Sequence, residues 1–185
     1  MTAERVQKSL GPRPDYTLDT ITQITTGWLR HMQIRGLLLD IDNTITRWEE
    51  DHVPDSELSW LHAMSDASLQ IRFISNGLDR KVRRVEAQTG LTHIAGRPLK
   101  PLPTGFRRGL EEMELEPQEA LMVGDSAVTD IAIANRIGIW TVLVEPMSSV
   151  HFPGSKFWQV IERAFSLRFP ATPEGEMRRQ PPSRR

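Results

Sequence analysis

The stretch Leu37-Leu38-Leu39-Asp40-Ile41-Asp42-Asn43-Thr44-Ile45 constrains this chain most. A short apolar run ends abruptly in two carboxylates one residue apart. Such a run reads as a strand buried on both faces, as in a parallel sheet. In open α/β sheets the ligand crevice lies beyond the carboxyl ends of the strands, so both acids stand where a ligand would bind. On an extended segment, side chains at i and i+2 share a face. Two carboxylates about 4 Å apart repel by about 4 kcal/mol at an effective dielectric of 20. A divalent metal is the simplest relief; a shared proton or a bend in the chain are the others. Isolated Asp-x-Asp pairs are common in solvated turns and helix caps, so the rest of the chain decides.

Strand and helix signals alternate along it. Thr17 to His31 carries Leu18, Ile21, Ile24, Trp28 and Leu29 near helical spacing, with Asp15 as a candidate cap. After the Asp40 strand, a polar loop from Arg47 to Pro54 leads to a helix capped by Asp55 or Ser56. Leu69 to Ile74 reads as a second strand, ending in Ser75-Asn76-Gly77. Asp79 to Gly90 is a basic helix stopped by Gly90. Thr92 to Ala95 is a short strand. Gly96 to Gly105 is rich in proline and glycine and carries Lys100. Phe106 to Met113 reads as a helix, Ala120 to Val123 as a buried strand ending in Gly124-Asp125-Ser126, and Val128 to Ile137 as a helix closed by Gly138. Ile139 to Val144 is the last strand, and Trp158, Ile161 and Phe165 mark a final amphipathic helix. This alternation predicts an α/β fold: a doubly wound parallel sheet with helices on both faces. Residues 1–15 form an irregular lead-in, 16–170 a single domain, and 171–185, rich in Pro and Arg, a disordered basic tail.

A chain of 185 residues suits one well-buried core. Twenty-three basic and 24 acidic residues leave a net charge of -1, which carries no whole-chain signature for nucleic acid. The absence of cysteine excludes disulfides, thiolate metal sites and a catalytic thiol, and fits a reducing compartment. The first fifteen residues lack the apolar core of a secretory signal, and no run approaches the length of a membrane-spanning helix. We therefore expect a cytoplasmic protein. The basic helix with Arg80, Lys81, Arg83 and Arg84, and the pair Arg107-Arg108, suit peripheral contact with anionic lipid; a solvated basic face is the plainer alternative. His151 to Trp158 reads as an interfacial anchor or as core.

The predicted strand ends and one loop collect the parts of phosphoryl transfer. A carboxylate can attack phosphorus, and a neighbouring acid can protonate the leaving oxygen and then activate water. A hydroxyl, backbone N–H groups and a lysine can hold the equatorial oxygens. Further carboxylates can hold Mg²⁺ through hard oxygen ligands. Asp40 and Asp42, Ser75, Lys100, and Asp125 with Asp130 supply these in chain order.

This ordered set resembles the haloacid-dehalogenase superfamily of aspartate-nucleophile phosphatases. Asp40-Ile41-Asp42-Asn43-Thr44 matches its Asp-x-Asp-x-Thr motif, Ser75 the second motif, Lys100 the third, and Gly124-Asp125-Ser126-Ala127-Val128-Thr129-Asp130 the fourth. The resemblance implies that Asp40 is the nucleophile and Asp42 the general acid/base. Ser75 and Lys100 would bind the phosphoryl group, joined by Thr44 and Asn76, with Arg97 as the alternative cation to Lys100. Asp125, Asp40 and Asp42, the last through its backbone carbonyl, would coordinate Mg²⁺, and Asp130 would be an accessory acid. Ser75-Asn76-Gly77, Lys100-Pro101, Thr129-Asp130-Ile131 and Asn135-Arg136-Ile137-Gly138-Ile139-Trp140 make the chain similar to the YqeG-like branch and to phosphatidylglycerophosphate phosphatases. Ser126 departs from that branch, which often carries Gln there.

Many members of the superfamily insert a cap domain between these motifs. Here both intervals, Asp42 to Ser75 and Ser75 to Lys100, are filled by a helix and a strand. An uncapped crevice favours a bulky phosphorylated substrate such as a lipid head group, phosphatidylglycerophosphate above all. A small phosphorylated metabolite, a phosphoprotein or a non-catalytic binding role are the alternatives. A signalling receiver domain fits poorly, because its acceptor aspartate would end a middle strand of the series, where Ser75 stands instead.

Overall fold

A computed structural model describes residues 11–94 and 100–148. Six parallel strands form one sheet: β1 (Tyr16–Leu18), β2 (Gly36–Leu39), β3 (Gln70–Phe73), β4 (Thr92–His93), β5 (Ala120–Gly124) and β6 (Trp140–Val144). Their order is β1-β6-β5-β2-β3-β4. All four residues of β2 are buried, as the unbroken apolar run requires of a central strand. Leu39 registers with Phe73 on one side and Val123 on the other. The ladder runs on past the strand: Ile74 donates to the Leu39 carbonyl at 2.9 Å, and the Asp40 N–H to the Val123 carbonyl at 3.0 Å. The ends of β2, β3 and β5 are thereby levelled, so Asp40, Ser75 and Asp125 emerge side by side.

Alternation along β2 divides the core in two. Leu37 and Leu39 pack against Trp28 and Leu29 of α1 (Thr26–His31), Trp60 and Leu61 of α2 (Asp55–Asp66), and Val82 and Val85 of α3 (Asp79–Thr89). Leu38 faces the opposite layer, with Phe106 and Leu110 of α4 (Pro103–Met113) and Ile133 and Ala134 of α5 (Ala132–Ile137). The sheet is doubly wound, and the described residues contain no cap domain. Gly90 and Gly138 end their helices at φ 70° and 97°, the left-handed closure that glycine allows.

The N-terminal part differs from expectation. The helix read over Thr17 to His31 is instead β1, a 3-10 turn at Ile21–Gln23, and α1 alone. Leu18, Ile21, Ile24 and Leu29 are all buried, so the apolar spacing is real but is shared among three elements. Asp15 caps no helix: its carboxylate accepts from the Thr141 N–H at 2.9 Å and the Thr141 hydroxyl at 3.0 Å, pinning β1 to β6. The cap of α1 is Thr25, whose side chain accepts from the Trp28 N–H. Pro54, without a side-chain cap, precedes α2; Asp55 and Glu57 occupy its first turn, where negative charge complements the helix dipole. The helix read from Val128 begins as a π-helical turn, Ala127–Ile131, that runs on into α5. The lead-in up to residue 10, Arg97, the final amphipathic helix, the His151 segment and the basic tail lie outside the described residues.

Candidate active site

Asp40 follows β2 directly and is almost wholly buried. Burial pushes its carboxyl up to about 7; Lys100 pulls it down, while Asp130 and Asp42 push it further up. Lys100 Nζ stands 2.5 Å from Asp40 Oδ1 and 2.7 Å from Asp130 Oδ1. Burial alone would lower the lysine, but the charges of Asp130 and Asp40 outweigh it and raise it above the usual ammonium range. The ammonium is thus held charged between two acids, as a buried cation must be.

Lys100 arrives from a loop, and Asn76 sets its place. The Asn76 amide donates to the Lys100 carbonyl at 2.7 Å, and its carbonyl oxygen accepts from the Lys100 N–H at 2.8 Å. The Asn76 side chain is therefore engaged with backbone. Asp130, fully buried, lies on the π turn after β5. Its second oxygen accepts from the Ser126 N–H at 3.2 Å. Gly124 is what admits it: a Cβ there would stand 2.2 Å from Asp130 Oδ2.

Oxygens of Asp40, Asp125 and Asp130 all lie within 4.8 Å of one another. Lys100 is paired with two of these three carboxylates, and Asp40, raised chiefly by its burial, is pushed further up by the neighbouring Asp130. This set of hard oxygen donors fits a small divalent cation. The side chain of Asp42 is turned elsewhere. Its Oδ1 is paired with Lys81 Nζ at 2.6 Å, and its Oδ2 accepts from the Ser75 hydroxyl at 3.3 Å. Ser75 Oγ in turn accepts from the Gly77 N–H at 2.9 Å. Thr44 Oγ1 is buried with no hydrogen-bond partner among the described residues.

Lys81 is the site residue that sequence reasoning missed. It was grouped with an outward basic face, but it is buried on the inner side of α3. Arg80 and Arg84 lean on Asp51 instead. Helical spacing held the signal, since Lys81 precedes the buried Val85 by four residues and so shares its face.

The doubly wound fold and the family match place the chain in the haloacid-dehalogenase class of phosphatases, and the protein is a phosphoric monoester hydrolase. Within that class the chain belongs to the mitochondrial PGP phosphatase family, whose model matches residues 6–147. It is 28% identical over 150 residues to the probable phosphatase YqeG of Bacillus subtilis, covering 81% of this chain and 87% of that one. It is 29% identical over 159 residues to phosphatidylglycerophosphate phosphatase 1, chloroplastic/mitochondrial, of Arabidopsis thaliana, covering 76% of this chain but 42% of the plant protein. Among solved structures, a predicted HAD-like family hydrolase from Porphyromonas gingivalis shares the fold, with a TM-score of 0.53 at 12% identity over 75% of this chain and all of that one.

Proposed function

We propose that the protein is a Mg²⁺-dependent phosphomonoesterase that works through an aspartyl-phosphate on Asp40, with phosphatidylglycerophosphate as its substrate. The observation that carries this is the contact of Lys100 with both Asp40 and Asp130 at the end of the central strand. An ionised Asp40 oxygen attacks phosphorus, the ester P–O bond breaks, and Asp42 gives its proton to the departing oxygen. Asp42 then takes a proton from water, which attacks the same phosphorus, breaks the acyl–phosphate bond and releases inorganic phosphate. Lys100 and the Ser75 hydroxyl hold the phosphoryl oxygens, where charge develops. Asp40, Asp125 and the backbone carbonyl of Asp42 would hold Mg²⁺, with Asp130 beside them as an accessory acid; the ion, when bound, would screen the carboxylates and polarise the phosphoryl group.

The lipid substrate draws its support from the names of the family and of the plant relative, and from the rim of the crevice. Leu78 and Leu102 are 73% and 53% exposed, and each lies two residues from the Asn76–Lys100 clamp. Apolar side chains beside the mouth suit a head group presented at a membrane surface. A peripheral place on the cytoplasmic face of a membrane follows from this reading.

The test is phosphate release from phosphatidylglycerophosphate in detergent micelles, beside soluble monoesters and a phosphopeptide, with and without EDTA. We expect the lipid to be preferred, and both the chelator and Asp40→Asn to abolish release. Equal or better rates on the soluble substrates would end the lipid assignment, and chelator-resistant release would end the metal one.

A further inference from the structure

Lys81 stands out among the buried ionisable groups because the mechanism above does not use it. Its ammonium donates to the Arg47 carbonyl at 2.8 Å and the Trp48 carbonyl at 3.2 Å, and it forms an ion pair with Asp42 Oδ1 at 2.6 Å. The Trp48 ring centroid lies 5.7 Å away, within range of a cation–π contact. Lys81 ties Asp42 to the loop that follows it, from the first turn of α3. The two oxygens of Asp42 are held unequally. Oδ1 meets a charge at 2.6 Å, while Oδ2 has only the longer bond from Ser75 at 3.3 Å. Ser75 Oγ has its own short bond, from the Gly77 N–H. A phosphoryl group arriving at Ser75 would draw that hydroxyl from Oδ2 and leave Oδ1 anchored.

We infer that Lys81 is a positioning residue: it fixes one oxygen of Asp42 so that the other faces the leaving-group oxygen. This rests on the general acid/base role given to Asp42. Loss of such a residue damages proton transfer and leaves phosphoryl binding intact. A poor leaving group, an alkoxide, needs the proton; p-nitrophenolate leaves well without it.

The experiment compares full-length protein, Lys81→Met and Lys81→Gln on an alkyl phosphomonoester and on p-nitrophenyl phosphate at saturating Mg²⁺. Positioned acid catalysis is worth about 10²–10⁴-fold. With enzyme in excess over substrate, release of the alcohol reads the first step alone; there we expect both variants to lose about 10²-fold or more on the alkyl ester and less than about threefold on the nitrophenyl ester, while hydrolysis of the phosphoenzyme, which also uses Asp42, slows alike for both. In an Asp42→Asn background, Lys81→Met should cost nothing further, as a double-mutant cycle requires of two groups that act as one. Equal losses in the single-turnover release of the two alcohols, or additive losses in the double variant, would overturn the inference and mark Lys81 as merely structural. Lys81→Gln, read with circular dichroism, guards against a Met variant that fails to fold. Should Asp42→Asn itself slow single-turnover release of the two alcohols alike while Asp40→Asn is inactive, the acid role of Asp42 falls, and this inference falls with it while Asp40 stands.

Discussion

Asp40 carries a pH dependence of its own. Its carboxyl sits near 7 in the folded, metal-free protein against an ordinary value of 3.8, chiefly because it is buried. The folded state therefore holds the proton more tightly than the unfolded chain does. The stabilisation is full below about pH 4 and is lost as pH rises through about 7. In EDTA, the melting temperature should fall between pH 5.5 and 8, and Asp40→Asn should flatten that fall and melt higher at pH 8. Parallel curves for the two proteins would refute the cause given. Gly124→Ala is sharper still, since its methyl meets the Asp130 carboxylate. Activity should drop at least tenfold, with destabilisation of about 1–3 kcal/mol in urea titrations. At this scale the motif residues were legible because each ends a hydrophobic run or sits in a short signature. Lys81 was not, because its partners Arg47, Trp48 and Asp42 precede it by more than thirty positions.

At the scale of elements, the loop bearing Lys100 is positioned from outside by Asn76, an amide at the end of the neighbouring strand. Each of its two hydrogen bonds contributes about 1 kcal/mol to stability, but together they aim an ammonium that touches Asp40 and Asp130. Asn76→Ala should thus lower kcat/KM by far more than it lowers stability. Steady-state kinetics beside thermal melts would show this, and proportionate losses would contradict it. The strands β2, β5 and β6 were readable because burial on both faces leaves a nearly continuous apolar run, interrupted in β6 by Thr141. β1 was not: three residues pair with β6 through a contact to Thr141 that lies 126 positions from Asp15. The π turn after β5 was hidden for a similar reason. Its register serves the burial of Asp130 rather than any local propensity.

For the molecule as a whole, the doubly wound sheet does one thing for chemistry: it brings the ends of β2, β3 and β5 to one crevice that no further domain covers among the described residues. The alternation of strands and helices foretold that arrangement, and the filled intervals between motifs match the lack of a cap domain among the described residues. The apolar rim of that open mouth was not foretold, since an exposed leucine has no signature in sequence. If Leu78 and Leu102 meet lipid, replacing both by Asp should weaken co-sedimentation with anionic vesicles while sparing hydrolysis of p-nitrophenyl phosphate. Undiminished vesicle binding would remove the rim from the account. The covalent step is open to the most direct examination. An acyl phosphate formed during turnover can be acid-quenched, reduced with borohydride and located by peptide mass spectrometry. The account predicts homoserine at position 40, only when substrate is present. An unmodified Asp40, or label on another acid, would contradict it.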